Sequence, residues 1–322
     1  MTVPKTINET TSPKNNLHLH GYKSYFSSFV NMFNNKQLPH TILLSGHKGI
    51  GKSTFIYHFV NFILSKNENF TYSRDKLLIN SNNKSYKLIC EQSHTNFFLL
   101  SNSILDDSIK IDQVRSLISF LNKSTYLDDI KFVLIDNAEL LNKSSSNALL
   151  KSLEEPKDNT YFFIINDNSR KILNTIKSRC VEFKFFFSFD KKKEILNQIL
   201  KDNYFGSLIK FSDNILNYES HGSVLRLAHL LADSGIKDLK DYLLVISFLL
   251  DEFLVKKNNK LLPYLSLFIQ LYYNKLSFAN VNNVNIYNYN KIKILNLIRD
   301  FKVYNLDKKN LHTSINGILN NG

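Results

Sequence analysis

No part of the chain restricts its fold more than the run Gly46-His47-Lys48-Gly49-Ile50-Gly51-Lys52-Ser53-Thr54. The run fits G-x-x-x-x-G-K-[ST], a pattern that has meaning only where a buried strand leads in and a helix follows. Residues 41–44 are apolar, and Phe55, Ile56, Phe59, Val60 and Ile63 recur as one face of a helix. Such a loop points backbone N–H groups and a helix N-terminus at phosphate oxygens, while Lys52 adds positive charge and Ser53 a magnesium ligand. Gly46, Gly49, Gly51, Lys52, Ser53 and Thr54 are therefore the expected nucleotide-binding residues, with ATP and Mg2+ the expected cofactors.

Further along, Phe132-Val133-Leu134-Ile135 is an unbroken apolar run that ends on Asp136. That is how a strand buried on both faces delivers a carboxylate to the edge of a parallel sheet, and Asp136 is expected to help hold Mg2+ through the nucleotide. Ser144 to Ser146 read as the cap of a following helix, which carries Ala148, Leu149, Leu150 and Leu153 at helical spacing and closes at Glu154-Glu155-Pro156. A second apolar run, Tyr161-Phe162-Phe163-Ile164-Ile165, ends on Asn166 at what should be the same edge. Phe97-Phe98-Leu99-Leu100 reads as another strand, and Ile111, Val114, Leu117, Ile118 and Leu121 as the stripe of another helix. This alternation predicts a three-layer α/β domain with a parallel sheet. Residues 66–87, polar and irregular, read as a surface insertion, and the Asn-rich 280–290 as a loop.

Composition sets outer limits. The chain has 322 residues, enough for two or three cored domains, and no apolar run suited to a bilayer, so no membrane association is expected. A polar start without a leader core, and two cysteines too few for a disulfide framework or a four-ligand zinc site, point to a cytoplasmic protein. His18, His20 and His40 lack cysteine or carboxylate companions and read as ordinary polar or packing residues. The net charge of +13 suits phosphate binding. The same lysine excess is also what A/T-rich codons produce, and the lysines are scattered, so direct DNA contact stays open.

Several pieces together resemble the clamp-loader subfamily of AAA+ ATPases over about residues 38–187: Leu38-Pro39-His40, Ile111-Asp112-Gln113-Val114-Arg115, Asn147 through Pro156 with its Leu-Glu-Glu-Pro end, and Ser178-Arg179-Cys180. The resemblance implies a hetero-oligomeric complex with the other clamp-loader subunits, acting on a sliding clamp and primed DNA in the nucleoid. It implies that Arg179 is an arginine finger working in trans, at a neighbouring subunit's ATP. A guanidinium placed there accelerates phosphoryl transfer by about three to five orders of magnitude. It places Asn166 as sensor 1 and Arg226 as a candidate sensor 2, and it divides the chain into an arm without order (1–16), an AAA+ P-loop domain (17–188), a small helical lid (189–236) and an all-α C-terminal collar domain (237–322).

The departures matter equally. Active motors of the subfamily carry glutamate directly after the Walker B aspartate, and here Asn137 stands there; an amide is no general base, so weak or absent ATP hydrolysis by this chain is expected. Glu139 would need an altered backbone to substitute. Only Cys90 lies where many relatives hold a four-cysteine module, so no structural zinc is expected. Two other readings remain, an ATP-hydrolysing motor subunit of the same complex and a stand-alone P-loop DNA-binding ATPase.

Overall fold

Strands β1 (Thr41–Ser45), β2 (Phe97–Leu100), β3 (Lys131–Ile135), β4 (Thr160–Asn166) and β5 (Val181–Lys184) form one sheet in the order β2-β3-β4-β1-β5. Every pairing is parallel. The computed structural model describes residues 12–102, 108–123, 130–167, 171–202, 213–231, 234–236, 238–256 and 258–320. Parallel strands need helical crossovers, and these cover both faces, so β3 and β4 are buried along their whole length. Because side chains alternate along a strand, Phe162 and Ile164 enter the core beneath α4 (Ile111–Asn122) and α5 (Lys143–Glu154), whose Val114, Leu117, Leu149 and Leu153 join them. Phe163 turns the other way and meets Phe59 of α2 (Lys52–Leu64), ring centroids 5.7 Å apart, while Phe29 of α1 (Lys23–Asn34) meets Phe183 of β5 at 4.9 Å. The expected three-layer parallel α/β architecture is present.

Four expectations need correction, the last of them in the second unit described below. The cap of α5 is Asn142, whose side chain accepts from Ser145 N, and not Ser144 to Ser146; Ser145 instead donates its hydroxyl inward to Ile109 O at 2.8 Å. Residues 66–87 are more than a surface insertion. Ile79 N donates to Leu17 O and Leu19 N to Leu77 O, Tyr72 and Ile79 are buried, and the segment ends in α3 (Lys84–Cys90). Residues 12–16, the last part of the expected arm, are tied down as well. Lys14 Nζ donates to Cys90 O, Asn16 Nδ2 to Thr54 Oγ1 and His58 Nε2 to Asn16 O. Residues 1–11 of that arm lie outside the described residues.

Lys131 opens β3 with its ammonium buried among the last carbonyls of α4, donating to Phe120 O and Leu121 O at 3.0 Å each and to Lys123 O. A cation there satisfies orphan acceptors and opposes the negative end of the helix dipole.

The described residues form two compact units, the first up to 198 with 220–222, the second 199–219 with 223–322. The short helix α6 (Asn174–Lys177), the part of α7 (Phe189–Asp202) up to Gln198 and the start of α9 (His221–Leu231) complete the description of the first unit. The second holds α8 (Asp213–Tyr218), the rest of α9, and α10 (Tyr242–Lys256), α11 (Leu262–Ala279), α12 (Val284–Tyr304) and α13 (Lys308–Asn320). The last four pack in sequence, Phe253 of α10 also meets Phe301 of α12, and α13 closes back on α10 with His312 on Asp251. The Asn-rich 284–290 is therefore helix and not loop. Tyr287, Ile294, Ile298 and Phe301 form one buried stripe on α12, and burial of that stripe outweighs the low helix propensity of Asn285, Asn288 and Asn290.

Candidate functional site

The glycine loop joins β1 to α2, and Gly51 sits at the helix N-cap with φ 95°, a left-handed conformation that a side chain would strain. Lys52, the first helical residue, folds back over the loop and donates to Gly46 O at 2.7 Å and His47 O at 2.9 Å. Its ammonium is held to about 8 by burial, against the pull of Asp167, Asp136 and Glu139. Ser53 Oγ donates to Asp136 Oδ2 at 3.0 Å, so the two expected magnesium ligands are already neighbours, and both are hard oxygen donors of the kind Mg2+ takes. Burial pushes the Asp136 carboxyl up. Asn166 lies level with Ser45, because β4 is sandwiched between β1 and the Walker B strand β3. Phosphate loop, Asp136 and Asn166 thus share the C-terminal edge of the sheet.

That edge also holds residues the sequence did not mark. Asp167, buried directly after Asn166, pairs with Lys48 Nζ of the loop at 3.6 Å. His221 Nε2 and Tyr22 OH both donate to Ile50 O, at 3.1 and 2.8 Å, and burial pushes the His221 imidazole down to about 4, so it stays neutral. Gly222 N donates to Gly49 O at 3.1 Å, and a Cβ on Gly222 would stand 2.5 Å from that oxygen. Gly222→Ala is therefore expected to push the loop aside and destabilise the chain by about 1–3 kcal/mol. Thermal melting with and without nucleotide checks this, and an unchanged melting temperature would show that the contact is not tight. Only the tendency of a helix to start with small residues could have pointed to Gly222.

Asn137 takes a left-handed conformation, φ 57°, and donates from Nδ2 to Asn102 Oδ1 at 3.3 Å. Glu139 follows in a 3-10 turn, its carboxyl pushed up by burial and by the charge of Asp167. Arg226 lies half-buried on α9, in the second unit.

Arg179 occupies the other end of the sheet. It sits in the turn from α6 into β5, and its carbonyl accepts from Thr41 Oγ1 at the very start of β1, 2.6 Å away. Its guanidinium is engaged by Glu154 at the end of α5. Next to it, Cys180 donates its thiol to Ile176 O, and burial pushes that thiol up to about 11.

The model of the family described as DNA polymerase III, delta subunit, matches residues 21–187, more than half of the chain. The chain belongs to that family. Among its relatives is the DNA polymerase III subunit delta′ of Pseudomonas aeruginosa, 34% identical over 45% of this chain and 43% of that protein. Another is the DNA polymerase III subunit gamma of Buchnera aphidicola subsp. Acyrthosiphon pisum, 30% identical over 74% of this chain and 67% of that protein. The match thus spans less than half the length of the Pseudomonas protein. A gamma subunit-related protein from Thermotoga maritima superposes with a TM-score of 0.48 at 18% identity, covering 91% of this chain and 97% of that one. By the family model and the two sequence relatives, the chain is a member of the delta′/gamma clamp-loader family of DNA polymerase III, as the motifs of residues 38–187 led one to expect. Among the described residues no helix is long and apolar enough to cross a membrane.

Proposed function

We propose that this DNA polymerase III delta-family chain is the delta′ member of a clamp loader, holding ATP without hydrolysing it appreciably and lending Arg179 to a neighbour. One observation carries the reading. Arg179 is bonded to Thr41, at the beginning of β1, whereas the phosphate loop begins at Gly46 beyond its end. Five residues of strand at about 3.3 Å each put ~16 Å between the two, so the guanidinium is out of reach of its own nucleotide. A finger placed there serves only a site brought up by another subunit.

The proposed partners are the delta and gamma/tau subunits as a hetero-oligomer, the sliding clamp, and primed DNA approached through the complex, in the cytoplasm at the nucleoid. In the chain's own pocket Lys52 and the loop N–H groups would take the phosphates of ATP, and Ser53 and Asp136 would hold Mg2+, which supplies charge neutralisation between phosphate oxygens. Asn166 and Asp167 would line the far side. Asn137 supplies no carboxylate, so turnover by the isolated chain is expected at no more than about one hundredth of a motor subunit's, the loss typical of a missing general base. Labelled ATP in excess over protein checks this. Stoichiometric retention with little phosphate release is the expected result, and motor-like turnover would overturn it.

The gamma relative spans more of the chain than the delta′ relative does, which favours a second reading as the hydrolysing motor itself. Asn137 argues against it. The two readings part in a reconstituted loader carrying Arg179→Ala. Loss of turnover at the neighbouring subunit, with ATP binding by this chain intact, supports the first.

A further inference from the structure

We infer that Glu154 is a latch that restrains Arg179 until a neighbour's triphosphate displaces it; this rests on the reading of Arg179 as a finger in trans. A guanidinium has five N–H donors, and it grips a phosphate through two of them side by side along one edge. In this chain four of the five have partners within the same subunit. Nε donates to Glu154 Oε1 at 2.6 Å and Nη2 donates to the same oxygen. Nη1 donates to Thr175 O at 2.6 Å and Ser178 Oγ at 3.3 Å. Among the described residues a single N–H of Nη2 is left over, so no edge is open for a bidentate contact. The finger cannot take a phosphate through the edge formed by Nε and Nη2 without leaving Glu154.

The pairing follows from how the two backbones are fixed. Leu153, immediately before Glu154, and Ile176, three residues before Arg179, are buried in the same core cluster, which Leu149 of α5 and Ile172 also join. The end of α5 and the α6 turn are thereby held together, and the carboxylate meets the guanidinium. The latch is also built to open. The Arg179 and Glu154 side chains keep 29% and 46% of their surface exposed, and an ion pair so wetted is screened and readily exchanged for a more highly charged anion. A nucleoside triphosphate with its phosphates presented across a subunit boundary is such an anion, and a neighbour without one leaves the guanidinium on Glu154.

The test is the ATPase of the complete reconstituted loader, with full-length wild-type chain, Glu154→Gln, Arg179→Ala and the double variant. Glutamine keeps the shape and removes the charge. Without clamp and primed DNA, Glu154→Gln is expected to raise turnover at the neighbouring site by about two- to five-fold, the range a half-exposed ion pair can restrain. The increase is expected to shrink as salt is raised and to vanish in the Arg179→Ala background, neither of which a purely structural role of Glu154 would produce. Unchanged or lower turnover in Glu154→Gln, while Arg179→Ala still abolishes it, would overturn the latch and leave the finger standing. Normal turnover with Arg179→Ala would remove both.

Discussion

Arg179→Ala is expected to lower ATP turnover at the adjoining motor site by about 10³-fold, the lower end of what an arginine finger contributes to phosphoryl transfer. The loss measured over the whole loader will be smaller, because sites that receive their finger from other subunits keep working. Folding should hardly notice. The side chain gives up a wetted ion pair with Glu154, worth about 1 kcal/mol at most, and its carbonyl still accepts from Thr41. ATP binding by this chain should not change, since ~16 Å of strand separates the residue from its own phosphate loop. Arg179→Lys is a sharper variant. It keeps the charge and loses the planar fork, so partial rescue would assign the effect to charge and no rescue to bidentate geometry. Single-turnover measurements on a loader in which only the adjoining site is competent give the number directly, and an intact rate there would dispose of the proposed role.

Lys52→Ala is expected to weaken ATP binding to this chain by about 2–5 kcal/mol, roughly 30-fold to several thousand-fold, the cost of truncating one member of a buried charge pair. The ammonium now rests on Gly46 O and His47 O and must move off them to reach a phosphate. Asp167, Asp136 and Glu139 all act on its charge, so its loss leaves Lys48, already paired with Asp167, as the remaining cation that acts on the buried Asp136 carboxylate facing the nucleotide. Titration with a fluorescent ATP analogue, alongside a melting curve to confirm folding, measures the effect. Retained affinity would mean that the loop is a structural relic. Lys52→Ala and Arg179→Ala should also separate cleanly, the first acting on this chain's nucleotide and the second on the neighbour's.

Much of the proposed nucleotide site was legible because it is local. The loop, Lys52 and Ser53 follow one another along the chain, and Asp136 and Asn166 end apolar runs that can only be buried parallel strands. The family motifs around Glu154 and Arg179 were legible for the same reason. Where an expectation failed, packing had overruled local preference. Asn285, Asn288 and Asn290 are poor helix formers, yet they lie in α12 because Tyr287, Ile294, Ile298 and Phe301 have a core to enter. The polar 66–87 segment is ordered by backbone bonds to residues 17–19, some sixty positions away. Asn142 caps α5 although three serines follow at 144–146, because Ser145 donates its hydroxyl to Ile109 O.

The sequence by itself determined which side chains could meet a phosphate, since glycine, lysine and hydroxyl at fixed spacing act within one turn of backbone. It also showed that the amide of Asn137 directly follows Asp136. The tertiary structure alone decided what surrounds them: Asp167 on Lys48, Gly222 against Gly49, the carboxylate of Glu154 on the guanidinium of Arg179, and the placing of that arginine at the far end of β1. Strand order and helix packing are set by the burial of many apolar residues at once, so distances between residues remote in the chain become definite only when the whole core has closed.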